Sequence, residues 1–430
     1  MSVTRNVSEK MSEIAGLHFV SIVLTLYICI LPSLAVPDLK LVHVLFARKL
    51  YTPWEGDIET NEISLPETLS YESFISATMN MPLNAEQNMY AFGAHLREIY
   101  KEFLGDIYMS EIMKTRTTQH SSSILSAQLV HAGLWPPAKS QMWNNNLNWQ
   151  PIPYEYAKLK EDTLMLGSLC PNFISQMNQI LETTKTKQML AQYESLFDHL
   201  SEYTKRDIST PSDVALLYAT LETMADRNNM LPNWAKDVFS DDTMYNVTLL
   251  EYDLLSATPL QRQLNGGIFV GEIISNSLRY IIGDIPKERK MMLYSGDARN
   301  IVGVLKNLNL WSPHIPNEAA ALIFELYFDN DTNAYGIKIN YYASMDDTMI
   351  LLQLPNCTDI CPLQTLLNAN INLLSQDSRS LCGWFTENLI KTEDPLGRKE
   401  FNSSNYNGFI SYQYKISIFI LILFYVAFNT

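Results

Sequence analysis

The chain has 430 residues, 47% of them hydrophobic, which is enough for one large domain with an inserted lobe or for two domains and rules out a disordered chain. Its 46 acidic against 31 basic side chains leave a formal net charge of −15, and no basic run occurs. That balance argues against a nucleic-acid partner, since phosphate backbones are held by clustered Lys and Arg.

In chain order, Arg5 and Lys10 precede an apolar run from Leu17 to Leu31, and Ser33, Leu34 and Ala35 form a small-residue site. This is the pattern of a signal peptide over residues 1–35, cleaved after Ala35, with an uncleaved anchor helix as the alternative. Leu39–Phe46 is a nearly continuous apolar run, as in a strand buried on both faces of a parallel or mixed sheet. Ala85–Leu104 has helical periodicity with Asn84 as its expected N-cap. From Pro171 to Asp284 the segments are mainly helical, including Ser212–Asp226 and Gly271–Ile282. Strand patterns resume at Lys290–Tyr294, Ala321–Phe328, Gly336–Tyr342 and Met349–Leu354, with a helical run over Ala298–Leu308. Strands on both sides of a helical insertion predict an α/β core, residues 36–170 and 285–400, carrying a helical cap, residues 171–284. Residues 401–430 are a linker and tail. The tail's apolar run, Ile416–Phe428, is 13 residues, short of the roughly 20 that span a bilayer. With the small and polar residues before it, it reads as a lipid-anchor signal, or else as a marginal transmembrane segment.

Removal of the leader takes Cys29 with it and leaves Cys170, Cys357, Cys361 and Cys382. An even set in an oxidising compartment predicts two disulfides, Cys357–Cys361 closing locally and Cys170–Cys382 at long range. A zinc site would need a second close pair or neighbouring histidines, and neither is present. No metal or cofactor is expected. Sequons at Asn246, Asn330, Asn356 and Asn402 fit the same secretory route, to the cell exterior, the cell surface or a lysosome.

Five segments in order carry a resemblance: Leu41–Pro53 (LVHVLFARKLYTP), Gly93–Leu104 (GAHLREIYKEFL), Arg116–Pro137 (RTTQHSSSILSAQLVHAGLWPP), Trp143–Pro153 (WNNNLNWQPIP) and Leu293–Ile301 (LYSGDARNI). They resemble the histidine acid phosphatases of the prostatic, lysosomal and venom type, and the cysteine placement agrees. The resemblance implies a mixed, mostly parallel α/β sheet flanked by helices, an α-helical cap over the strand C-terminal ends, and phosphomonoester hydrolysis. It leaves a homodimer open.

In that family the first strand enters an Arg-His-Gly-x-Arg-x-Pro loop, whose histidine takes the phosphoryl group covalently while the arginines hold its oxygens. The matching residues here are Ala47, Arg48, Lys49, Leu50, Tyr51, Thr52 and Pro53. The family's third phosphate-binding arginine falls on Ser122, and its late His-Asp pair on Asp297 and Ala298. All six catalytic positions, Ala47, Arg48, Tyr51, Ser122, Asp297 and Ala298, therefore depart from the pattern. Arginine stays protonated and offers no lone pair, the converging cations are reduced to one, and Ala298 donates no proton to a leaving group. The chain thus reads as a disabled relative. The alternatives are an acid phosphatase with residual or altered activity and a glycosylated structural or antigenic surface protein.

Four histidines are candidate replacements for the missing nucleophile. His43 lies five positions before Arg48 in the same strand, roughly 16 Å away and on the other face, as a satisfied core histidine. His120 is expected in a loop facing solvent, and His95 and His131 in helix packing. Asp297 is the remaining candidate nucleophile, without a cationic cradle. Arg48 and Asp297 are expected to pair across the vacated phosphate site, the alternative being that Asp297 caps the following helix and Arg48 reaches solvent.

Overall fold

The structure, a computed structural model, describes residues 37–48, 70, 72, 81–226, 231–240, 242–344 and 348–384. Two units are distinguished. One is Leu39–Tyr327 with Tyr335–Thr430, and the candidate site lies wholly within it. The other is Met1–Asp38 with Phe328–Ala334, where Asn330 Nδ2 donates to Asp38 Oδ2 at 3.0 Å. The leader, Tyr51, Asn402 and the C-terminal tail fall outside the described residues.

Strand β1 (Asp38–Arg48) is buried from Leu41 to its end, and its two faces serve different cores. Leu41, Leu45 and Ala47 enter one hydrophobic cluster, while Val42, Val44 and Phe46 enter another. A strand covered on both sides must be apolar throughout, which is why the run lacks alternation. Around it, β2 (Met113–Thr117), β3 (Met291–Asp297), β4 (Ala321–Asp329), β5 (Ala334–Tyr342) and β6 (Ile350–Leu352) form a sheet in the order β2-β3-β1-β4-β5-β6, with β7 (Cys361–Pro362) against β5. β3 runs parallel to both β1 and β2, and β5 is antiparallel to β6 and β7. The sheet is mixed and helix-flanked, as the resemblance implied.

Helices α1 (Leu83–Leu104) and α2 (Ser121–Leu134) cover the second cluster. They pack backbone to backbone: a Cβ on Gly93 would lie 2.1 Å from the Val130 carbonyl oxygen, and one on Gly133 would lie 2.1 Å from that of Tyr90. This contact anchors α2 and so the placement of its first turn. α1 begins two residues earlier than expected. Pro82, extended at φ −62° and ψ 149°, occupies the N-cap, so Asn84 falls inside the helix and does not cap it.

Between α2 and β3 come α3 (Pro171–Leu181), α4 (Thr184–Leu190), α5 (Glu194–Thr204), α6 (Pro211–Asp226), α7 (Asn233–Ser240), α8 (Thr243–Leu254), α9 (Pro259–Arg262) and α10 (Ile268–Ile281). Phe197, Leu200, Val214, Leu217, Leu221, Met244 and Val247 give this helical part a core of its own. α11 (Ala298–Asn307) follows β3, and α12 (Leu363–Ser375) and α13 (Ser378–Cys382) close the described chain.

Both disulfides are present. Cys170–Cys382, with Cα atoms 4.8 Å apart, ties the start of α3 to α13, and Cys357–Cys361 joins the turn before β7 to that strand. Asn246, Asn330 and Asn356 are solvent-exposed. Among the described residues no helix is long and apolar enough to cross a membrane.

Candidate functional site at the strand ends

Parallel pairing brings the C-terminal ends of three adjacent strands to one place. The β1–β3 register sets Ala47 beside Gly296 and Arg48 beside Asp297, and the β2–β3 register sets Thr117 beside Ser295. In open α/β sheets this edge is where ligands bind. Five of the six departed positions, Ala47, Arg48, Ser122, Asp297 and Ala298, thus fall at the strand ends or in the first turn of the helix that follows a strand.

Arg48 is buried, at 4% exposure, and does not reach solvent. Its Nε donates to Ser123 Oγ at 2.8 Å. Ser123 also accepts at Oγ from Thr118 Oγ1 at 2.7 Å, and its carbonyl accepts from Ser295 Oγ at 2.9 Å. The side chain that organises the strand ends is therefore Ser123, in the first turn of α2, one position beyond the Ser122 singled out by the sequence. Asp297 caps α11: its Oδ1 accepts from the Arg299 amide at 3.0 Å, while its own amide donates to Asn300 Oδ1 at 3.0 Å, a reciprocal capping box. Asp297 takes the capping role because the Cα–N geometry of a helix start rewards it with backbone donors in place.

His120 departs from expectation. It is the N-cap of α2, buried at 6% exposure, and does not face solvent. Its Nε2 makes no hydrogen bond to any described residue. Burial pushes the ring down to about 4, the Arg48 charge adds to that, and Asp297 opposes it, which places the imidazole within reach of both. The missing signal was tertiary: β2 ends at Thr117 and α2 starts at Ser121, so the short connection folds His120 over the strand ends.

The other histidines are structural. His43 is in the core opposite Met292, but only half satisfied: Nδ1 lies 3.4 Å from the Tyr294 hydroxyl and Nε2 has no partner among described residues. His131 meets Thr115 Oγ1 at 2.7 Å, and His95 meets the Tyr342 hydroxyl at 2.6 Å.

A buried pair flanks the site that no sequence pattern announced. Arg299, on α11, contacts Glu251, on α8, and Ser212 joins both: its Oγ accepts from Arg299 at 3.1 Å and donates to Glu251 Oε1 at 2.9 Å. Burial raises the Glu251 carboxyl, an effect that Arg299 counteracts. The cavity lined by Arg48, Ala298, Glu251 and Arg299 is only about 50 Å³, against roughly 300–1,000 Å³ for ordinary small-molecule pockets.

The fold recurs in known proteins. The family model for the histidine phosphatase superfamily, branch 2, matches residues 50–342. The chain belongs to that family. Among curated relatives, the venom acid phosphatase of Apis mellifera is 32% identical over 346 residues, 80% of this chain and 88% of the relative. The prostatic acid phosphatase of Mus musculus is 27% identical, covering 88% of this chain and 97% of its own length. Among solved structures, the apo form of Hafnia alvei phytase covers 81% of this chain and 98% of its own, with a TM-score of 0.57 at 13% identity, a likeness of fold alone.

Proposed function

We propose that this histidine acid phosphatase homologue does not hydrolyse phosphomonoesters and acts, where it acts, through its folded scaffold. What carries this reading is the arrangement at the paired positions Arg48 and Asp297. The first offers a protonated guanidinium turned to Ser123 in place of a nucleophile, and the second offers a carboxylate engaged in capping in place of a phosphate-binding histidine. Ala298 supplies no proton to a leaving group. The test is a phosphomonoesterase assay at acid pH on the purified chain, beside an active relative; no turnover above the blank is expected.

A second reading, residual hydrolysis, is favoured by His120: a buried imidazole, neutral down to about pH 4, with a free Nε2 near Arg48. Turnover that survives purification and disappears in His120→Ala would establish it and overturn the first.

The same proposal takes the chain through the secretory pathway. Two disulfides and the similarity to venom, prostatic and lysosomal acid phosphatases support that route. It includes cleavage after Ala35, glycans at Asn246, Asn330, Asn356 and Asn402, a core of residues 36–170 and 285–400 with a cap of 171–284, and surface attachment through residues 401–430.

A further inference from the structure

We propose that the chain binds a small organic anion, a carboxylate or phosphate ester carrying a hydroxyl group, in a cavity between β2, α10 and the segment that enters β3. The cavity is about 320 Å³ and shares no lining residue with the strand-end site. It lies on the face of the sheet occupied by Met292 and Tyr294, toward the β2 end of the strand order.

Its charge is the first argument. The chain as a whole has half again as many acids as bases, yet at this cavity four cations, Lys114, Arg116, Arg279 and Arg289, are matched by four carboxylates, those of Glu155, Glu272 and Asp284 on its lining and of Asp162 against Arg116, so the acidic excess is absent here. Three of the cations have carboxylate partners. Lys114 Nζ meets Glu155 Oε2 at 2.9 Å on the rim, Arg279 Nε meets Asp284 Oδ2 at 2.6 Å, and Arg116 meets Asp162 Oδ1 at 2.7 Å below the cavity.

Arg289 is the second argument. Its Nε is buried and makes no hydrogen bond to any described residue. A guanidinium has five donors, and leaving one buried without an acceptor costs about 1–3 kcal/mol or more. Burial also lowers the Arg289 pKa, with Tyr108, Glu111 and Glu155 opposing. A carboxylate or phosphate placed in the cavity supplies the acceptor that the fold omits, in the fork geometry arginine favours.

The far wall selects the rest of the ligand. Glu272 Oε1 accepts from Asn276 Nδ2 at 2.8 Å, and its carboxylate keeps further acceptor sites for a donor, while Tyr294 also lines the cavity. An anion without a hydroxyl would face Glu272 with nothing to donate. The volume is at the lower end of the usual range for small-molecule sites, so a metabolite-sized ligand fits and a peptide does not.

Calorimetric titration of the full chain with glycerol 3-phosphate and with L-malate, and with glycerol as the uncharged control, tests this. At least one of the two anions should saturate a single site while glycerol does not; which of them binds identifies the head group. Arg289→Gln should weaken binding by about tenfold or more, the loss of a charge-assisted hydrogen bond. Arg289→Lys, which keeps the charge but not the fork, should fall between the two, and its melting temperature reports whether the fold is intact. Arg48→Gln should leave affinity unchanged. The proposal fails if neither anion saturates, if affinity survives Arg289→Gln, or if it is lost in Arg48→Gln, which would put the ligand at the strand ends.

Discussion

Replacing Arg299 by Met should convert a buried ion pair into a buried lone carboxylate, and the cost should depend steeply on pH. Glu251 is 2% exposed, and its cation is withdrawn while its bond from Ser212 remains. The protein can always escape the charge by protonating Glu251, so the penalty is bounded by the cost of that proton. In the unfolded chain the group titrates near 4.5, 2.5 pH units below neutrality, and each unit is worth about 1.36 kcal/mol. The ceiling is therefore about 3.4 kcal/mol at pH 7 and about 0.7 kcal/mol at pH 5. The sign follows from the direction of the shift. A carboxyl raised in the folded state binds its proton where the unfolded chain has already lost it, so stability is present at low pH and falls as pH rises above 4.5. Arg299 restrains that shift in the parent chain, so the parent's slope is shallower. Urea unfolding from pH 5 to 7 of the parent, Arg299→Met and the double variant Arg299→Met/Glu251→Leu measures all three curves. The single variant should lose ground as pH rises, and the double variant should recover most of the loss, since a buried pair can be exchanged for apolar groups at little net cost. A loss independent of pH, or a double variant no more stable than the single at pH 7, would refute the reasoning.

Two further outcomes concern stability. Removing the Cys170–Cys382 bridge as the double alanine variant frees a loop of 212 residues, and chain entropy sets the loss at up to about 5 kcal/mol, read from denaturant midpoints with the Cys357–Cys361 bridge intact; a loss below 1 kcal/mol, or peptide mapping that joins Cys170 to Cys357, would contradict it. Burial holds His43 and His131 down to about 3 and His120 down to about 4, all below the ordinary 6.5, so the unfolded chain takes up these protons first and stability should fall as pH drops from 6.5 toward 3. Ring proton shifts in a magnetic resonance titration should show all three imidazoles neutral at pH 5, and a midpoint near 6.5 for His120 would return it to solvent.

Much of the architecture was legible because it is written locally. The unbroken apolar run of β1 follows from burial on both faces, the 3.6-residue periodicity of α1, α6 and α10 from burial on one, and the two disulfides from cysteine spacing and number. β2 was not legible. In MKTRT the buried positions are Met113, Thr115 and Thr117, so two of its three inward residues are polar and the strand carries almost no hydrophobic signal. The positions Ala47, Arg48, Tyr51, Ser122, Asp297 and Ala298 could be singled out from the chain, but the partners of those the structure describes could not. That Arg48 turns to Ser123, that Asp297 caps α11, and that His120 is buried and feels both charges depend on the parallel register of β1, β2 and β3 and on where α2 begins. The Arg299–Glu251 pair joins residues 48 apart on helices of different layers, and the cavity around Arg289 draws on β2, α10 and the approach to β3. A side chain's chemistry belongs to the sequence, but its partners and its access to water are set by contacts between distant segments. Charge and hydrogen-bond energies depend on just those two things, so only the tertiary structure decided them.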